Sequence, residues 1–323
     1  MNNRIALFFG GKVSQHLGMI KKAARLEGVE LDLISYNRVC FETNGLDTVA
    51  VIRGTPGNED KKTSVNDYRV LFFRTTGKHW EEVDLIINSI DKENGPVVVD
   101  PIVKAGKPDM ACKAWQMMAL SRAGLPVPKT VYGSLGYLVT VMGGVTAPFT
   151  FPVILKGSGG DRGTRVFKAD NLEELEKLAS EWRRLEIEDG KRFMLQEFIE
   201  NRGDYRVLVL GEKVLGVMKR TSGGADFRNN FSMGGKVEVA DLPQDIKKMA
   251  VEATRASGLM VAGVDVMPRQ QLRSLGGQAQ LSENREDYVI LEVNKGPQFK
   301  GFMAATGIDV PREIVRFLKS LSS

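Results

Sequence analysis

In the stretch VILEVNKGPQFKG, Val289 to Gly301, an acid and an amide, Glu292 and Asn294, stand two residues apart in an otherwise apolar run that leads into a Gly/Pro-marked loop. Side chains alternate across a strand, so Ile290, Glu292 and Asn294 are expected on one face and Val289, Leu291 and Val293 on the other. Oxygen donors side by side suit a hard cation, and magnesium is commonly held by one or two carboxylates together with substrate phosphates. Asp265, in the upstream run VAGVDV, would complete a set of two acids and an amide if its strand lies beside this one. The pair alone fits equally well a solvated strand face with a turn beyond it.

A second chemistry is offered by FPVILKGSGGDRGTRVF, where Lys156 ends an apolar run and enters a loop with glycines at 157, 159, 160 and 163. Backbone N–H groups of such a loop can close over phosphates while the ammonium neutralises them. It lacks the Gly-Lys-Ser/Thr of a Walker loop, and an ordinary flexible turn has the same composition. Arg206, Arg220 and Arg228 come from the hairpin and loop that follow, and a guanidinium fork matches phosphate or carboxylate. Each alone reads as a surface arginine; together with a metal set they would surround a polyanion. Nucleophile triads and histidine-based metal sites have little to draw on, since the chain holds two histidines, His16 and His79, and two cysteines, Cys40 and Cys112.

These residues need rigid elements to hold them. Arg4 to Phe9 reads as a strand, Met19 to Glu27 as a helix and Glu30 to Ser35 as a strand, and RVLFFRT, VDLIINSI and GPVVVDP continue the pattern into an open α/β layer. The polar stretch KAGKPDMACK marks a boundary near residue 105, and the glycine-rich stretch 44–64 reads as a hairpin or loop. From Ala111 a helix is expected with Trp115, Met118 and Ala119 on one face, stopped by Gly124 and Pro126. Another starts at Asn171 with Asp170 as N-cap, Glu173 three residues on, and Leu172, Leu175, Ala179 and Trp182 facing inward. A hairpin turning at Gly211 follows, then a helix from Gln244 to Ser257 presenting Ile246, Met249, Ala250 and Ala253. Val261, Gly263 and Asp265 share one face of the next strand, residues 268–287 read as a long polar connection, and a last helix begins at Pro311 with Asp309 as its cap.

At 323 residues, with 42% apolar and 26% charged side chains, the chain can bury two or three compact cores. Its formal charge of +5, spread without a block of like charges, suits an anionic ligand; without an aromatic-interleaved basic stripe it does not point to nucleic acid. The apolar run at the N-terminus, Ile5 to Gly10, is too short for a signal or membrane segment, and the isolated cysteines fit a reducing, cytoplasmic setting.

Lys113, VILK ending at Lys156, the glycine loop, LQEFI at 195–199, DYR at 204–206, DFRNN at 226–230, VAGVDV at 261–266, LEVNKGP at 291–297 and TGIDV at 306–310 follow the order and approximate spacing of the ATP-grasp ligases. Most specifically the chain resembles the RimK-type branch, which adds glutamate or another amino acid to a carboxylate. The resemblance runs from about residue 105 to the C-terminus and is architectural before that. It implies an α/β protein, α+β in its catalytic part: an N-terminal open α/β pre-ATP-grasp domain over 1–105, then an ATP-grasp domain over 106–323. A lid subdomain is expected at about 106–198 and a catalytic subdomain at about 199–323.

Carried onto this chain, the resemblance assigns Lys113 and Lys156 to the nucleotide phosphates, with Gly159, Gly160 and Gly163 in the covering loop. Gln196, Glu197 and the Phe198 backbone fall at the adenine edge, Asp204 near the ribose, and Arg228 and Asn230 in a loop that meets the phosphates. Asp265, Glu292 and Asn294 would hold magnesium, two ions being expected and manganese able to substitute. Arg220, with Arg228 and Lys156, would face the migrating phosphoryl group. The implied partners are ATP, an amine or amino-acid donor, a carboxylate acceptor that is a small molecule, peptide or protein tail, and further copies of the chain in a dimer or tetramer. An ATP-grasp kinase and a non-catalytic nucleotide sensor remain alternatives. One departure stands out: Gln298 occupies the place of a family glycine and is followed by Phe299 and Lys300, which puts acceptor recognition in doubt.

Overall fold

The computed structural model describes residues 4–43, 45, 48–54, 61–106, 113–157, 165–188, 190, 192–201, 203–221, 236–269, 274–275, 278–279 and 281–322. Chain entry is through β1 (Ile5–Phe9), buried at every position, then α1 (Gln15–Leu26) and β2 (Leu31–Ser35). β3 (Val39–Thr43), β4 (Thr48–Arg53) and β5 (Lys62–Ser64) form a small antiparallel sheet over the stretch read as a hairpin or loop. β6 (Val70–Phe73), α2 (Trp80–Asn88) and β7 (Val97–Val99) complete an all-parallel sheet ordered β2-β1-β6-β7.

Strands of such a sheet are covered on both faces, which is why they read as continuous apolar runs. Ala6, Phe8, Leu71 and Phe73 pack on Val83 and Ile86 of α2. Ile5, Leu7, Phe9, Val70 and Phe72 enter a different core, shared with α1 and with residues near the C-terminus.

Next come α3 (Lys113–Arg122), β8 (Thr130–Gly133), α4 (Leu135–Gly143), β9 (Val153–Gly157), β10 (Val166–Ala169), α5 (Leu172–Glu188) and β11 (Phe193–Glu197). The four strands make an antiparallel sheet ordered β10-β9-β11-β8, covered by α4 and α5. The inward face of α5 is as expected, with Leu175 buried and Leu172, Ala179 and Trp182 packed beside it. Its cap lies one residue later than the sequence suggested: Asn171 Oδ1 accepts from Glu174 N at 3.0 Å while Glu174 Oε2 accepts from Asp170 N at 2.8 Å. The face of α3 also differs. Met117 and Leu120 are buried and Met118 is exposed, because Gln116 faces strand 288–295 and exchanges two hydrogen bonds with the Val293 backbone, which turns the helix stripe.

A five-stranded antiparallel sheet closes the chain, ordered β14-β13-β12-β15-β18. It comprises β12 (Asp204–Leu210), β13 (Lys213–Thr221), β14 (Lys236–Ala240), β15 (Val261–Pro268) and β18 (Tyr288–Lys295). Between β14 and β15 runs α6 (Gln244–Ala256), which packs Ile246, Met249, Ala250 and Ala253 on one face of the sheet. Gly211 turns the β12–β13 hairpin at φ +57, a left-handed conformation that glycine adopts without a Cβ clash. The long polar connection holds two short paired strands, β16 (Ser274–Leu275) and β17 (Gln278–Ala279). After β18 come α7 (Lys300–Thr306) and α8 (Val310–Ser320), the latter capped by Asp309, whose side chain accepts from Arg312 N. Among the described residues no helix is long and apolar enough to cross a membrane.

Candidate active site

β15 and β18 are neighbours, so the condition on the two acids and the amide is met. Asp265 lies directly opposite Glu292, and Gly263 opposite Asn294. One expectation about this strand is corrected. The ladder shifts between the Asp265–Glu292 and Val266–Ile290 pairs and leaves Leu291 as an extra residue, a β-bulge that resets the alternation. Ile290 therefore joins Val293 in the core under α6, while Glu292 and Asn294 point to the opposite face with Asp204, Arg206, Arg220 and Asp265.

On that face the charges interlock. The Arg220 guanidinium donates to both Asp204 oxygens, at 2.6 and 2.9 Å, and its Nη2 also reaches Asp265 Oδ2 at 3.0 Å. Arg206 donates to both Asp265 oxygens at 2.7 Å. Asn294 Nδ2 donates to Asp265 Oδ2 at 3.2 Å. All three members of the Asp204–Arg220–Asp265 chain are less than 9% exposed. Burial penalises the Asp265 charge, yet the Arg206 and Arg220 guanidiniums outweigh it and hold the carboxyl down to about 2. Burial and the neighbouring Asp265 charge push Asp204 up. Arg220 is itself raised, because the two carboxylates overcome its desolvation.

Across from this sheet, β9 brings Lys156 from the lid. Burial, together with the nearby Lys113 ammonium, lowers Lys156 to about 8, against the pull of Glu292 and Asp265. Lys113, at the start of α3, pairs with Glu292 Oε1 at 3.0 Å, both side chains being about one-third exposed. Two sheets and one helix thus converge on one patch. Glu197, at the end of β11, ties three segments: its backbone N–H donates to Lys129 O, and its Oε1 accepts from Lys129 N and Arg269 Nη1, each at 3.0 Å. Gln196 is 1% exposed and its side chain turns into the sheet to donate to Thr130 Oγ1. Lys168 sits 5.1 Å from the Phe198 ring centroid. Gly159, Gly160, Gly163, Arg228 and Asn230 lie outside the described residues.

The donors suit magnesium by their chemistry: two carboxylates and an amide, all oxygen-bearing, at facing positions of one strand pair. Each carboxylate is matched by a cation, Glu292 by Lys113 and Asp265 by two arginines. Among the described residues no cluster of three His, Cys, Asp or Glu could cage a metal. A separate groove of about 720 Å³ between β13, β14 and α6, lined by Leu215, Val239 and Val251 among others, contains none of these residues.

Sequence reasoning did not find Gln116, Arg269, the buried Arg74 and Asp100, or the half-buried Lys295. The one visible trace was a charge at the end of an apolar run, as in RVLFFRT and VVVDP.

Residues 111–318 match the family described as the RimK-like ATP-grasp domain. The chain belongs to that family. A curated relative from Cellvibrio japonicus (strain Ueda107), named probable alpha-L-glutamate ligase, is 32% identical over 209 residues, 63% of this chain and 61% of the relative. The match therefore spans less than two thirds of that relative's length. The fold of this RimK-like chain is also that of solved ATP-grasp ligases. The ligase PsnB, complexed with phosphomimetic variant of minimal precursor, Mg, and ADP, superposes with a TM-score of 0.66 at 17% identity, covering 100% of this chain and 99% of the other. Macrocyclase MdnC from Microcystis aeruginosa MRC, bound with precursor peptide MdnA, gives 0.65 at 16% identity, covering 98% and 99%. At such identities the likeness is one of fold.

Proposed function

We propose that this RimK-like protein is an ATP-dependent carboxylate–amine ligase that joins an amino acid such as glutamate to a carboxylate. The observation that carries the reading is the cluster of Asp265, Glu292, Asn294, Arg206, Arg220, Lys113 and Lys156 on facing elements, with no protein nucleophile among them. Phosphoryl transfer needs no such nucleophile, only positioning and charge around a migrating group.

In this reading the substrate carboxylate oxygen attacks the terminal phosphorus of ATP, and the bond to the ADP oxygen breaks. The amine then attacks the acyl carbon, phosphate leaves, the amine loses its proton and an amide remains. Lys113 and Lys156 neutralise the phosphates. Arg220, fixed by Asp204 and Asp265, presents its guanidinium to the transferred group without having to reorganise. Asp265, Glu292 and Asn294 would hold magnesium, which would supply charge neutralisation when bound. Closure of the lid excludes water, which matters because hydrolysis of an acyl phosphate competes with aminolysis.

Glutamate as the added amino acid is supported by the name of the curated relative, and a peptide acceptor by the precursor-bound neighbours. Two ions per site, exchange with manganese and a homo-oligomer rest on the motif resemblance, and a cytoplasmic setting on the two isolated cysteines. The test is ADP release with ATP, magnesium and a panel of amino acids and acidic peptides, with hydroxylamine replacing the amine. Carboxylate-dependent hydroxamate is the expected result. ADP release accompanied by a phosphorylated hydroxyl, and no hydroxamate, would replace the ligase with a kinase.

A further inference from the structure

The tips of the N-terminal parallel sheet reach the sheet of β15 and β18 through three ionisable residues, Arg74 and Asp100 buried and Lys295 half-buried. Asp100, after β7, is fully buried with φ +63, and its Oδ1 accepts from Met260 N at 2.7 Å and Val261 N at 3.1 Å, where β15 begins. Arg74, after β6, is 7% exposed and donates from Nη2 to Pro297 O at 2.6 Å, just beyond the end of β18. Lys295, the last residue of β18, donates from Nζ to Phe73 O, the last residue of β6. Lys295 also pairs with Ala262 across the β15–β18 ladder, so both grips act on the same end of one strand pair.

The backbone is shaped around the arginine. Gly296 has φ +57, and a Cβ there would sit 1.9 Å from Arg74 Nη1 and 2.8 Å from Arg74 O, so only glycine leaves the guanidinium its place. Asp100 Oδ2 has no hydrogen-bond partner among the described residues, and burial pushes the carboxyl up against the pull of Lys295 and Arg74. A charged donor on a carbonyl is among the stronger and more directional protein hydrogen bonds, which suits a fixed brace.

We propose that Arg74 is a positioning residue for the metal-ligand strands: with Asp100 and Lys295 it fixes, from the N-terminal sheet, the start of β15 and the end of β18, between which Asp265, Glu292 and Asn294 stand. The role assigned to those three residues rests on the ligase reading above; the mechanical brace does not. Residues behind metal ligands typically change metal affinity by about 10–100-fold when altered.

The full chain, R74K and R74M are compared by hydrogen–deuterium exchange without nucleotide and by binding of a non-hydrolysable ATP analogue as magnesium is titrated. Exchange is expected to rise at 260–267 and 289–297 in both variants and to stay unchanged over α5 and β11. The magnesium needed for half-maximal analogue binding should rise about tenfold in R74M and less in R74K, with metal-free analogue affinity preserved. A lowered Tm with unchanged exchange at those segments and an unchanged magnesium requirement would overturn the brace and leave Arg74 a packing residue. If R74M fails to fold, R74K decides on the same two readouts. Wild-type analogue binding indifferent to magnesium would remove the metal reading instead, and the exchange comparison would still decide the brace.

Discussion

The five-stranded sheet and the β10-β9-β11-β8 sheet face the same patch and treat charge in opposite ways. On β12, β13 and β15, Asp204, Arg206, Arg220 and Asp265 each have an opposite charge within 3.0 Å. On β9, Lys156 has no ion pair among the described residues, and the charges acting on it include a second ammonium, Lys113. One side of the cleft is completed by folding. The other is left electrostatically unfinished, which in the proposed reading gives a polyanion a driving force that the protein does not spend internally.

The largest effect that sharpens this contrast is expected from Asp265→Asn. Removing one partner of a buried ion pair leaves Arg206 without its carboxylate and Arg220 with Asp204 alone, so stability in denaturant melts should fall by about 3–5 kcal/mol. Hydroxamate formation should drop by roughly 10²–10³-fold or more. A variant of wild-type stability would break the claim that folding closes the ladder. Glu292→Gln separates function from stability in the same set. Its pair with Lys113 is about one-third exposed, so stability should change by less than about 1 kcal/mol, while hydroxamate should still fall by roughly 10²-fold.

Lys156 supplies the pH test. Its folded value of about 8 lies below the unfolded lysine value of about 10.4, so charging it opposes folding. Its unfavourable contribution is fully present below pH 8 and disappears as pH rises toward 10.4, because there the unfolded chain binds the extra proton. Nucleotide affinity should move the other way, weakening above about pH 8 as the ammonium is lost. Lys156→Met should flatten both trends and weaken nucleotide binding by about tenfold; isothermal titration across pH 7–10 reads both variants, and a wild-type profile without that decline would sink the assignment. The smallest effect is expected from Glu197→Gln. Its pair with Arg269 is partly solvated, so Tm should move by no more than a loss of about 1 kcal/mol would give.

Much of the site was legible because strand alternation and motif order are local properties. Lys113, Lys156, Asp265, Glu292 and Asn294 converge although they come from four elements, as the resemblance implied. What failed did so for identifiable reasons. Ile290 was placed on the wrong face because a bulge at Leu291 leaves no mark in the apolar pattern. The stripe of α3 expected through Trp115, Met118 and Ala119 turns because a half-buried glutamine, Gln116, can replace an apolar contact when it meets a strand backbone on both its amide atoms. The cap of α5 slipped by one residue, since Asp170 and Asn171 both cap well and the choice depends on which carboxylate, Glu173 or Glu174, reaches back.

The sequence by itself determined the alternating elements, the apolar runs of a doubly covered parallel sheet, the oxygen donors two apart on β18 and the basic residues that would meet an anion. Those follow from the periods of helix and strand and from side-chain chemistry, which need no partner to be read. Only the tertiary structure decided that Asp265 faces Glu292, that Arg206 and Arg220 share Asp265, and that Arg74, Asp100 and Lys295 bind the N-terminal sheet to β15 and β18. These contacts join residues as many as 223 positions apart. Register and burial between distant segments are set by packing the whole chain at once.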